Sequence, residues 1–332
     1  MSVELTIDRL GAQGDGIAET PGGPLFVPFA LPGERIMAEL AQDGRHADCL
    51  AVLEASRERV TPVCPHFGAC GGCSLQHLET QTYLAWKRDI VLQALASRGL
   101  DVLVEPVRAV PLGSRRRATF FLERRGKDAV LGYRRARSHD TIEVDVCPIL
   151  SPAIVAALPA LKAVLLPLLG GRPEARVIIT ETETGLDVVM KGAPQPETAL
   201  AKLAGTAGAQ GIARITVGDE RVMLSPPSLR LGRAEVRLSP GAFLQASPAA
   251  EAEMVALVRA GVGKAKRVAD LFSGLGTFSF ALAERASVDA YENSTEALAA
   301  LEDAARHTPK LKPIRGHRRD LFQDPLGWQE LK

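Results

Sequence analysis

The sequence predicts a multidomain α/β-plus-β chain, and three stretches carry that prediction. Residues 1–57 alternate short apolar runs with glycine turns, the pattern of a small OB-like barrel. Residues 100–238 alternate apolar and polar positions, which marks a mixed, strand-rich α+β domain. Residues 239–332 hold a strand, a glycine turn, a helix, a strand, a helix and a strand, the order of a truncated Rossmann-like βαβαβ unit.

Composition agrees with several cores. The chain has 332 residues, 46% of them hydrophobic, enough for about two or three domains. The start, MSVELTIDRLG, lacks the basic-then-apolar pattern of a secretory signal. A cytoplasmic, monomeric protein without disulfides is therefore expected. The apolar run Ala153–Leu169 is interrupted by Pro159, Lys162 and Pro167. Ser151-Pro152 starts it and Gly170-Gly171 stops it, so it reads as a packed amphipathic helix rather than a membrane span.

In the first segment, Leu25–Pro28 and Arg35–Ala38 are predicted strands either side of Leu31-Pro32-Gly33. The pattern GAQGDGIAE…GPLFVPFALPGE resembles the TRAM domain, an RNA-binding barrel of RNA-modifying enzymes. Residues 58–99 follow, with Cys64, Cys70 and Cys73 in CPHFGACGGC. Three thiols at this spacing can converge on one soft metal. Cys147, in Asp145-Val-Cys147-Pro148, offers a fourth ligand, because Cys49 sits inside the predicted barrel. Zinc and a [4Fe-4S] cluster both suit thiolates. Zinc usually takes two short ligand pairs, and the single CxxC here favours the cluster. His66 and His77 read as surface or packing residues. A helix is predicted over Thr80–Gly99, with Leu84, Ile90, Val91 and Leu95 on one side.

The central segment 100–238 includes predicted strands at Thr119–Leu122 and Arg176–Thr180. From Arg115 to Arg137 it carries nine basic residues against two acids. That excess suits a phosphate backbone, although such runs are often a solvated face. The chain then returns to Cys147, so a shared metal would pin a long excursion.

After Pro240-Gly241-Ala242-Phe243-Leu244-Gln245 a helix is predicted through Met254 and Val258. Strand Arg267–Leu271 leads into Phe272, Ser273, Gly274, Leu275 and Gly276, and a helix spans Thr277–Glu284. A second strand, Ser287–Tyr291, ends at Glu292; a helix covers Ser294–His307; a third strand, Ile314–Arg318, ends at Asp320. A dinucleotide fingerprint needs a third glycine or alanine and an acid about 20 residues on. Here Ser279 stands at that third position and Asp270 precedes the first glycine. An acid before GxG favours a methyl-donor site over a dinucleotide one, and Asp270 also suits a turn or capping acid.

CPHFGACGGC, Cys147-Pro148, Phe243-x-Gln245 and DLFSGLGT, in this order, resemble the RNA uracil-C5 methyltransferases, iron–sulfur enzymes that make 5-methyluridine in rRNA or tRNA. The resemblance implies a class I methyltransferase domain that holds S-adenosyl-L-methionine through Gln245, Phe272, Thr277, Glu292 and Asp320, with Gly274, Gly276 and Asp270 in the same turn. It implies a [4Fe-4S] cluster on Cys64, Cys70, Cys73 and Cys147, and RNA as partner. Ser247 replaces the family's frequent Asn. The family continues with a fourth strand, a nucleophilic cysteine and a glutamate base. This sequence ends at Lys332 before such motifs, so a truncated chain without the catalytic residues is expected, with Val268–Phe272 on an exposed sheet edge. A non-catalytic iron–sulfur RNA-binding module and a zinc-containing NAD-dependent enzyme are the competing readings.

Overall fold

A computed structural model of the chain describes residues 2–194 and 211–330. The chain divides into two compact units. The first comprises residues 1–109 and 133–146, the second residues 110–132 and 147–332.

The first unit opens with β1 (Ser2–Thr6), β2 (Arg9–Leu10), β3 (Gly16–Thr20), β4 (Gly23–Val27), β5 (Arg35–Leu40) and β6 (Ala47–Glu54). They form two three-stranded antiparallel sheets, β1-β5-β6 and β2-β3-β4. The sheets meet where the Phe26 N–H donates to the Arg45 carbonyl. Ile7, Ala18, Val27, Ile36, Ala38 and Ala47 fill one core, and Cys49 packs at its edge. Burial pushes the Cys49 thiol pKa up. Glu34 is fully buried and accepts from the Leu31 and Ser56 N–H groups and from Arg59. This network ties the start of the cysteine segment to the sheets.

Helix α1 (Thr80–Ala96) is capped by Glu79, which accepts from the Thr82 N–H. It ends three residues before Gly99. Its predicted apolar side is not a buried one. None of its residues is fully buried, and Val91 is exposed. Tyr83 and Trp86 pack instead on Leu31, Leu75 and Leu78.

The second unit begins with β7 (Arg117–Arg125) and β8 (Asp128–Arg134), whose last two residues count with the first unit. The short β9 (Thr141–Glu143) also belongs to the first unit. Next come α2 (Pro152–Leu165), β10 (Glu174–Thr182), β11 (Gly185–Lys191), β12 (Ile212–Val217) and β13 (Glu220–Met223). Strands β13-β12-β11-β10-β7-β8 lie side by side in that order. Within this sheet β11 and β12 pair in parallel. Ser151 caps α2, which contacts β10 and buries Ile154, Ala157, Leu158, Leu161, Val164 and Leu165. Pro152–Leu169 is apolar and long enough to cross a membrane by composition, yet it is built as a core helix followed by a 3-10 turn. Arg214 on β12 lies buried against Asp187 on β11, with two N–H···O contacts of 2.8 and 2.9 Å.

The hairpin β14 (Ser228–Leu231) and β15 (Ala234–Arg237) precedes α3 (Pro248–Val262). Then β16 (Arg267–Leu271), α4 (Thr277–Leu282), β17 (Ser287–Glu292), α5 (Thr295–His307) and β18 (Ile314–Arg318) alternate. The three strands are parallel in the order β16-β17-β18. Phe280, Leu282, Val288, Ala290 and Leu301 form their core with Leu229, Leu231 and Val236 of the hairpin. Strand β16 pairs on one side only among the described residues, and Leu271 at its end is exposed.

Candidate functional site

The turn after β16 is held by its own backbone and by the neighbouring strand. Phe272 adopts φ 58° and Gly274 φ 54°. The Ser273 N–H donates to the Tyr291 carbonyl at 3.0 Å, and the Gly274 N–H donates to the Glu292 carboxylate at 2.9 Å. The other Glu292 oxygen accepts from the Ser294 N–H at 2.8 Å. Glu292, at the end of β17, therefore braces the glycine turn on one side and the start of α5 on the other. Ser294 caps that helix by accepting from the Ala297 N–H.

Gly276 has no substitute in this geometry. Its φ is 93°, and an added Cβ would sit 2.8 Å from Phe280 Cε2 and 3.0 Å from Leu301 Cδ1. Asp270 lies beneath the turn, with 8% of its surface exposed, and accepts from the Ser279 hydroxyl at 2.6 Å. Burial raises its carboxyl pKa, opposed by its hydrogen bonds to Ser279. Asp270 thus anchors β16 to α4, and the Ser at the fingerprint's third position is the partner it needs.

Phe272 and Phe322 expose their rings and meet at a centroid distance of 5.1 Å. Asp320 accepts from the Phe322 N–H at 3.1 Å and from Asn293 at 3.5 Å. Tyr291 and His317 stack at 4.7 Å. So β16, β17 and β18 each contribute a polar or aromatic group at the same strand ends, where open α/β sheets bind ligands. Thr277 opens α4 and lines a cleft of about 670 Å³ with Arg116, Glu181, Arg230, Glu251 and Val255.

Gln245 belongs to the segment before α3, and its carbonyl accepts from Arg116 Nε at 3.1 Å. Ser247 caps α3 by accepting from the Ala250 N–H. Arg116 and Glu251 form a buried ion pair at 2.7 Å. The basic residues of Arg115–Arg137 do not share one environment. Arg116 points inward, Arg125 pairs with Glu123, Arg137 with Asp48, and Arg124 donates to the Gly170 carbonyl. Arg117 is half-buried, its Nε has no hydrogen-bond partner among the described residues, and burial lowers its pKa. Glu251 is not legible as a partner from local sequence, because the two residues stand 135 positions apart.

The cysteines are placed differently. Cys64, Cys70 and Cys73 lie half-buried in the first unit, and Cys147 is in the second. Gly72 donates its N–H to Cys70 Sγ at 3.4 Å. Gly71 donates to the Arg134 carbonyl, and Cys70 bridges to Arg135, so the loop lies against the returning segment. His66 reaches Asp145 at 2.9 Å. His77 is fully buried against the Phe29 and Phe67 rings. Among the described residues no three His, Cys, Asp or Glu side chains are gathered closely enough to hold a metal ion.

No family model matches the chain. It is 43% identical over 340 residues to an uncharacterised RNA methyltransferase of Rhizobium meliloti, covering 99% of this chain and 80% of that protein. It is 34% identical over 317 residues to the 23S rRNA (uracil(1939)-C(5))-methyltransferase RlmD of Alkalilimnicola ehrlichii, covering 89% of this chain and 71% of that protein. Its fold matches the crystal structure of Pyrococcus abyssi tRNA (uracil-54, C5)-methyltransferase in complex with S-adenosyl-L-homocysteine. The TM-score is 0.69 at 19% identity, over 95% of this chain and 79% of that one. The chain belongs to the RNA methyltransferase family these relatives represent.

Proposed function

We propose that this protein binds S-adenosyl-L-methionine at the β16–α4 turn and serves methyl transfer to C5 of a uridine in rRNA or tRNA. The observation that carries the donor reading is the Gly274 N–H bonded to the Glu292 carboxylate. That contact sets an acid at the end of the second strand beside a glycine turn with no side chain to block a ligand. A carboxylate there suits the two ribose hydroxyls of a nucleoside. Phe272 and Phe322 offer flat apolar faces to an adenine, Asp320 an acceptor, and Gln245 and Thr277 polar contacts to the amino-acid end. Uracil as the target rests on the named relatives and on the motif order, not on geometry.

C5 of uracil is a weak nucleophile towards a methyl sulfonium. Addition of a thiolate to C6 would raise electron density at C5, and a base would later remove the C5 proton. We assign neither role to a described residue. We also read residues 1–57 as a TRAM-type RNA-binding barrel. Cys64, Cys70, Cys73 and Cys147 would hold a [4Fe-4S] cluster in the cytoplasm; thiol spacing and the donor set support this, and no step of the reaction is drawn through it.

The test is calorimetric titration with S-adenosyl-L-homocysteine, followed by transfer of labelled methyl groups to unmodified rRNA and tRNA transcripts. Nucleoside analysis then identifies the product. Binding with 5-methyluridine formed supports the whole reading. Binding without transfer supports a donor-binding RNA module instead. Absence of binding refutes the donor site. Iron and sulfide analysis of anaerobically purified protein decides the cluster, since a metal-free protein with the same fold refutes it.

A further inference from the structure

The buried Arg116 does more than balance a charge. Its main chain is fixed on both sides: its N–H donates to the Ala246 carbonyl at 2.8 Å, and its carbonyl accepts from the Glu181 N–H at 2.7 Å. Its guanidinium is divided between two partners. Nε donates to the Gln245 carbonyl at 3.1 Å, and a terminal nitrogen donates to Glu251 at 2.7 Å. Glu251 lies in the first turn of α3, one turn beyond Ser247, whose carbonyl accepts the Glu251 N–H at 3.0 Å.

Consequently the segment Gln245-Ala246-Ser247 is gripped by Arg116, the residue just before β7, on one side and by α3 on the other. Gln245 is half-exposed and its carbonyl already accepts from Arg116, while its side-chain amide remains a group that can meet a ligand. A segment of this kind, without strand or helix bonds of its own, takes its conformation from the groups that grip it. An arginine is required because its fork reaches a carbonyl and a carboxylate at once; a lysine ammonium is a single point donor.

We infer that Arg116 is a positioning residue for the methyl donor: it fixes the Gln245 backbone so that the Gln245 side chain faces the ligand. The inference rests on Gln245 being a donor contact, and the experiment separates the two. S-adenosyl-L-homocysteine affinity is measured by calorimetry for the wild type, Arg116→Lys, Gln245→Ala and the double variant, with a thermal melt and an RNA gel shift for each. Arg116→Lys keeps the charge opposite Glu251 and loses the Nε contact. The expected result is a tenfold or greater loss of affinity in Arg116→Lys, little change in RNA affinity, and no further loss when it is added to Gln245→Ala.

If Arg116→Lys does not fold, Glu251→Gln takes its place. That variant keeps an oxygen acceptor for the guanidinium without the charge. It should weaken the ligand several-fold in the wild-type background and not in Gln245→Ala. Wild-type affinity in a folded Arg116→Lys or Glu251→Gln, or losses that add to that of Gln245→Ala, overturns the inference alone. A wild type that binds no S-adenosyl-L-homocysteine, or a Gln245→Ala that binds as the wild type, overturns the donor assignment and this inference with it.

Discussion

Replacing Gly276 by alanine tests whether the turn is rigid by design of its surroundings. At φ 93° an alanine pays the left-handed backbone penalty, about 1–2 kcal/mol. The added methyl would also sit 2.8 and 3.0 Å from two Phe280 ring carbons and 3.0 Å from Leu301 Cδ1. Both neighbours are fully buried, so neither can swing into solvent. Relieving such an overpacked contact costs about 1–3 kcal/mol. The sum is about 2–5 kcal/mol, which lowers Tm by roughly 5–15 °C for a unit of this size. Gly274 supplies the control. Its φ is 54° and nothing lies within 4 Å of the added methyl, so Gly274→Ala carries only the backbone penalty of about 1 kcal/mol. Urea unfolding followed by circular dichroism compares the wild type with both variants. A Gly276→Ala midpoint within about 0.5 kcal/mol of the wild type, or a Gly274→Ala cost equal to that of Gly276→Ala, would refute the packing argument.

Other expectations follow from single contacts. Asp187→Ala strands the buried Arg214 guanidinium and should destabilise the second unit by about 3–5 kcal/mol, read as a shift of the urea midpoint. Glu292→Gln leaves the turn one charged acceptor short, so S-adenosyl-L-homocysteine affinity should fall about 10- to 100-fold, read by calorimetry. His77 is fully buried; burial and then the Arg59 charge lower its pKa to about 4. Between about pH 6.5 and 4 the unfolded chain therefore binds a proton that the folded one refuses. Stability falls through that window by on the order of 3 kcal/mol, with no further loss from this group below it. In His77→Phe that part of the pH dependence should vanish, as followed by urea midpoints at pH 7 and pH 4.5.

What was legible in the sequence was local. Strands β16 and β18 begin and end where the sequence places them; the run Val268-Ala269-Asp270-Leu271, for example, is followed by the turn residues Ser273 and Gly274. Ser151 and Ser294 announced their helices by the same chemistry that caps them. What was illegible depended on partners far along the chain. The spacing of Leu84, Ile90, Val91 and Leu95 shows that α1 has an apolar side, but only a partner surface can bury it, and the surface present reaches just Tyr83 and Trp86. The Arg115–Arg137 run shows the same limit in electrostatic form. A count of neighbouring charges treats Arg115, Arg116 and Arg117 alike, yet Arg116, just before β7, is buried against Glu251 while Arg115 is exposed. A buried ion pair is at best a modest source of stability against an apolar replacement. Its presence at this position is therefore better explained by what it orients than by what it stabilises.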